Sequence, residues 1–333
     1  MKTALTYGWT LLHPAVVPPP RKSASLAYDA GRGTAVLFGG IGQSELLADT
    51  WTWDGTIWTQ QRPTSAPAPR AGASLVYDAA RGILLLFGGA SDIGIPLGDT
   101  WTWDGGAWTL HEPPTSPPAR SGASMAYDAA RQRVVLFGGV PRPDQALLSP
   151  YQRELGDTWT WDGTTWTLQA PQSIAAPLSS ARPATPPPRA AASMVYHAAT
   201  QTMLLFGGGN GTQLGDTWTW DGTMWTLRQP AVSPPARAAA TMVYDEGMQR
   251  TILFGGVDLA NLADVWTWDG ITWQQLALPT VPTSGQYASM TYDGARHALL
   301  FWGTTTRKGL AVATKQALPT SLFAETWQLS ATS

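Results

Sequence analysis

The chain has 333 residues, 44% hydrophobic and only 13% charged, with a formal net charge of −2 and no cysteine. That much apolar material can bury a large core, which argues against a disordered chain, and the near-neutral charge gives no general basis for binding nucleic acid. Disulfides, thiolate chemistry and cysteine-ligated zinc are excluded, and no apolar run approaches the roughly eighteen residues that a membrane span needs.

The first predicted element is a strand over residues 6–13, within "TYGWTLLHP" at 6–14. Gly8, Trp9 and His13 interrupt the apolar run that a cleaved leader requires, so the segment is expected to be structural. After it, a tyrosine recurs at Tyr28, Tyr77, Tyr127, Tyr196, Tyr244 and Tyr292, with spacings of 49, 50, 69, 48 and 48. A period near fifty residues is the mark of a solenoid or propeller, and 34 glycines with 27 prolines suit many short strands joined by tight turns.

Each unit reads as four strands, and the copy at 73–110 serves as the example. "ASLVY" at 73–77 is followed by the apolar "LLLF" at 84–87, which ends at a double glycine. In "DTWTW" at 99–103, strict alternation puts Trp101 and Trp103 on one face and Thr100 and Thr102 on the other. A fourth strand starts at Trp108, beyond an Asp-Gly turn suited to positive φ.

The "LFGG" run, the tyrosine- and tryptophan-bearing strands in fixed order and the fifty-residue period resemble kelch repeats over almost the whole chain. The resemblance implies an all-β, six-bladed kelch-type β-propeller with four antiparallel strands per blade. Blades are expected at about 21–62, 70–112, 120–170, 189–229, 237–277 and 285–330. The last blade ends at its third strand, "AETWQLS" at 324–330, and lacks an outer strand of its own. Trp9 stands 19 residues before Tyr28, the spacing also found for 58→77, 108→127, 225→244 and 273→292. The N-terminal strand is therefore expected to complete blade six and close the ring, removing exposed edges. Fifteen of the eighteen tryptophans follow the repeat and are expected to pack blades together, with a sugar-stacking surface as the alternative.

The two ends of the channel differ in sequence. Turns on the lower side hardly vary, whereas the upper loops between Gly-Gly and the third strand run to 8, 9, 17, 7 and 7 residues in blades one to five and about 20 in blade six. Long loops on a rigid scaffold commonly carry binding residues, so a site is expected at the upper mouth, bordered by 140–156, 170–188 and 304–323. Arg21, Arg70, Arg120, Arg189 and Arg237 recur seven residues before the tyrosine at that end, with Gly285 in the sixth place. They form either an anion-binding ring or one ion pair per blade with Asp49, Asp99, Asp157, Asp216 and Asp264. Among non-repeated residues, Arg142, Tyr151, Arg153, Glu154, Arg307 and Lys308 are ligand-binding candidates; Asp144 and Lys315 lie in the same loops.

The copper oxidases that resemble galactose oxidase need a cysteine crosslinked to tyrosine, which this chain lacks, and the Glu-x3-Asp-x3-His pattern of the iron-dependent specifier proteins is missing. His13, His111, His197 and His297 belong to different blades and levels, so no shared metal site and no cofactor are expected. The leading expectation is a binding platform for a protein segment or small anionic ligand, monomeric and cytoplasmic. The close similarity of the blades is consistent with recent duplication and a bacterial origin. The alternative is a cofactor-independent epimerase-, mutarotase- or lyase-like enzyme acting on a carbohydrate or metabolite at the same mouth, with Glu154 or Asp144 facing an arginine or tyrosine.

Overall fold

The structure, a computed structural model, describes residues 6–92, 94–141, 154–170, 185–282, 287–307 and 321–332; for 6, 304–307, 321–324 and 331–332 only the backbone is described. Six four-stranded antiparallel sheets form the blades of a propeller, and no helix occurs among the described residues. Blade one shows the pattern. Its inner strand Ser25–Asp29 pairs with Thr34–Phe38, which pairs with Thr50–Trp53, which pairs with the outer strand Trp58–Gln61.

Past their first residue the second strands of blades one to five are apolar except at Thr251, because both of their faces meet a neighbouring blade. Ala35, Val36, Leu37 and Phe38 are all buried, and their counterparts in the other blades follow suit. The core accordingly divides into six clusters, one per blade interface. In one of them Leu26, Tyr28, Leu37 and Trp58 of blade one pack on Leu300 and Trp302 of blade six. Burying each large side chain of this kind contributes roughly 2–3 kcal/mol.

The Trp-Asp-Gly-x-x-Trp motif folds as a hairpin in which Trp53 opposes Trp58, their ring centroids 5.4 Å apart. Asp54 Oδ1 accepts the N–H groups of Thr56 (2.8 Å) and Ile57 (2.9 Å), while Gly55 takes φ +99°. Any β-carbon on Gly55 would collide with the Arg296 guanidinium of blade six.

The outer-strand tryptophans also reach across blades. The indole N–H groups of Trp58, Trp108, Trp166, Trp225 and Trp273 donate to Thr326, Thr50, Thr100, Thr158 and Thr217 of the preceding blade at 2.9–3.2 Å. The recurrent tryptophans are therefore core and cement.

The N-terminal strand Thr6–Leu12 pairs antiparallel with Ser321–Thr332, setting Trp9 opposite Leu329 and Leu11 opposite Trp327. This closes the ring. One boundary differs from the sequence reading. The second strand of blade six runs over Ala298–Arg307 and its third over Ser321–Thr332, paired as far as Arg307↔Ser321. Residues 304–307 and 321–323, expected in a loop, thus form a ribbon that outruns the inner strand, whose last pair is Ser289↔Trp302. Elsewhere two positive-φ glycines end the second strand; here Gly303 leads into three β-branched threonines that favour continuing it.

Candidate functional site

At the upper end, each repeated arginine is drawn inward. Arg120, 1% exposed, places Nη1 2.6 Å and Nη2 2.9 Å from the Asp157 carboxylate, while its Nη1 and Nε also reach the carbonyls of Gly138 and Pro118 at 3.0 Å. Arg21, Arg70, Arg189 and Arg237 repeat this arrangement with Asp49, Asp99, Asp216 and Asp264. Burial by itself raises these aspartates, but arginine hydrogen bonds and charge, with a tryptophan N–H, outweigh it and hold the carboxyls below their usual range. The geometry is that of one ion pair in each of blades one to five, and an outside anion would have to displace an aspartate to reach a guanidinium.

Just inside these pairs, the backbone forms a closed ring. The N–H of Gly72 donates to Ser23, Gly122 to Gly72, Ala191 to Gly122, Ala239 to Ala191, Tyr287 to Ala239 and Ser23 to Tyr287, at 2.8–3.3 Å. All six residues hold φ between +52° and +63°. Below the ring lies a polar chamber of about 230 Å³, lined by Ser25, Ser74, Ser124, Ser193, Thr241 and Ser289. The five serine hydroxyls each donate to an alanine carbonyl of the following blade at 2.6–2.8 Å.

Leu26, Leu75, Met125, Met194, Met242 and Met290 line both this chamber and a second one, and so form the waist of the channel. The second chamber, about 400 Å³, opens at the lower end and is walled by Tyr28, Tyr77, Tyr127, Tyr196, Tyr244 and Tyr292. Their hydroxyls are anchored from the preceding blade: Tyr77 and Tyr127 accept the backbone N–H groups of Gly31 (3.0 Å) and Ala80 (3.1 Å).

The lower rim carries its own repeated ion pair, which fails in two adjacent blades. Asp29–Arg32, Asp78–Arg81, Asp128–Arg131 and Asp293–Arg296 pair at 2.6–2.9 Å. In blade four both partners change, to His197 and Thr200, which meet at 3.0 Å. His197 is fully buried against Tyr244, and burial lowers its pKa. In blade five the acid Asp245 stays, but Met248 stands where the arginine would be.

Asp245 is 5% exposed and accepts the Met248 N–H at 2.9 Å. Burial pushes its pKa up, against backbone hydrogen bonds and the charge of His297. The next residue, Glu246, is the one carboxylate lining the tyrosine chamber among the described residues. Its equivalents are Ala30, Ala79, Ala129, Ala198 and Gly294. Tyr292 lies 3.3 Å from His297 Nδ1, and burial, then Asp245 and Glu246, push its pKa up to about 12. Tyr7 from the closing strand is raised by burial and then by Asp245.

Of the other sequence candidates, Glu154 is half-buried just before the third strand of blade three. Arg307 ends the second strand of blade six, with its side chain undescribed, and Arg142, Tyr151, Arg153 and Lys308 lie outside the described residues. Sequence reasoning passed over the tyrosine chamber because its walls repeat in every blade. The signal that could have found it was Glu246, an acid where the other five blades carry alanine or glycine.

The sequence matches no protein-family model, and a comparison with curated proteins also gives no match.

Proposed function

We propose that this propeller is a rigid binding platform whose small ligand, or ligand side chain, enters the axial channel at its tyrosine-lined lower end. One observation carries the reading: the 400 Å³ chamber is concave, largely apolar, and symmetric except where Glu246 introduces a charge. Pockets of this size and character suit small molecules, and a single convergent polar group fixes orientation. At the upper end the repeated arginines are taken up by aspartates and the ring's backbone groups by one another. The expected site bordered by 140–156, 170–188 and 304–323 falls mostly outside those residues, so support for the platform comes from the opposite mouth.

The methionines provide a direct test. Met125, Met194, Met242 and Met290 line the channel, whereas Met203 is buried in a second strand. With methyl-labelled methionine, a fragment and peptide screen should yield ligands that shift the four channel resonances and spare Met203. A screen with no such ligand, or one whose hits leave the channel methyls unmoved, would refute the channel as the site.

A further inference from the structure

We propose that the tyrosine chamber takes a small organic cation, an amine or quaternary ammonium group, with Glu246 at the rim as the counter-charge. This deepens the channel reading above and rests on it.

The first support is a missing counter-ion. Four lower turns hold an aspartate and its own arginine within 2.9 Å, so their charges cancel locally. At blade five the arginine is Met248 while the buried acid is kept, and a second acid, Glu246, is added beside it. The charge of His297 acts on Asp245, and neither Asp245 nor Met248 lines the chamber, so Glu246 is the charge that a ligand inside would meet. The neighbouring pair His197 and Thr200 contributes no arginine either, and Glu246 is the one charged side chain lining the chamber among the described residues.

The second support is the wall. Six tyrosines line the cavity, and the hydroxyls of Tyr77 and Tyr127 are held by backbone N–H groups, which fixes those rings in place. Aromatic faces attract cations by about 0.5–2 kcal/mol each, most strongly where water is excluded. A hard metal ion is a poor match, because magnesium and calcium require six or more oxygen ligands and the chamber presents one carboxylate. An alkylammonium group is weakly hydrated and tolerates apolar walls. Anions are disfavoured by both acids.

The test compares choline with its uncharged isostere 3,3-dimethyl-1-butanol, by calorimetric titration of the full chain. Choline is expected to bind at least about tenfold more tightly, a difference of about 1.4 kcal/mol. Met248→Arg restores the internal cation of the other blades. It should raise the melting temperature and abolish the preference for choline. Glu246→Gln, at an exposed position that folding tolerates, should weaken choline about three- to tenfold without weakening the neutral isostere.

Equal affinity for the two ligands, or choline affinity unchanged in Met248→Arg and Glu246→Gln, overturns the cation proposal. Binding of the neutral compound alone, with shifted channel methyls, overturns it while leaving the channel reading intact. Should neither compound bind, the cation proposal also falls, and the methionine-methyl screen decides the channel independently.

Discussion

The indole N–H of Trp9 is buried without a hydrogen-bond partner because Val265 stands where its five equivalents meet a threonine. Trp9 and Val265 share one core cluster at the interface of blades five and six. The ring is closed there by packing, including Trp9 against Phe254 and Phe301 at centroid distances of 5.6 and 5.9 Å, but one cross-blade bond is missing.

Val265→Thr should complete the set. An unmade hydrogen bond at a buried donor costs about 1–3 kcal/mol, so the variant should gain about 1 kcal/mol after the loss of a buried methyl. Thr217→Val removes the acceptor of Trp273 and should lose a similar amount. Chemical denaturation of both variants checks the pair; a destabilised Val265→Thr would show that the indole is better left dry.

The upper ion pairs should behave as coupled units. Arg120→Ala strands the Asp157 carboxylate and the Gly138 carbonyl and should cost about 3–5 kcal/mol. Arg120→Lys should recover little, because an ammonium cannot bond both carboxylate oxygens and the carbonyl in one plane. Replacing both residues, as Arg120→Met with Asp157→Leu, should cost less than Arg120→Ala alone. Denaturation midpoints of the three variants decide it.

Two classes of aspartate should give opposite pH dependences. Asp49, Asp99, Asp157, Asp216 and Asp264 have lowered pKa values, so their stabilisation is present above the unfolded value near 3.9 and is lost as pH falls through the lower folded value. Asp245 is raised, so the folded state holds its proton more tightly, and stability declines as pH climbs from about 3.9 through the folded pKa. Asp245→Asn should therefore stabilise the protein at neutral pH and lose that advantage below about pH 4. Urea midpoints from pH 3 to 8 will show whether the two curves converge in acid.

The backbone ring at the upper mouth separates strain from collision. Ala239 sits at φ +53°, where an alanine is disfavoured by about 1 kcal/mol, so Ala239→Gly should be neutral to stabilising by about that amount. Gly72→Ala, at φ +63° with its nearest neighbour 3.7 Å from the new carbon, should cost about 1 kcal/mol. Gly39→Ala would also press the Arg70 carbonyl at 2.7 Å and should cost more than twice as much. Thermal unfolding of the three variants should rank them in that order.

The sequence by itself determined the blade count, the four-strand unit and the closing strand, because each rests on spacing along the chain. Trp9 at 19 residues from Tyr28 could belong only to an outer strand, and it pairs beside Trp327's strand accordingly. Strand ends were less legible: the threonines after Gly303 extend a ribbon through what spacing alone marked as loop.

Tertiary structure alone decided which of two readings the five arginines follow, since pairing with an aspartate 27 to 37 residues away depends on how the strands converge. It also revealed the channel's two chambers. Their walls repeat the same few positions in all six blades, scattered over more than 260 residues, and no local pattern records that they face a common axis. Met248 and Glu246 were readable as departures from the repeat, but only the ring of sheets places Glu246 on an aromatic cavity.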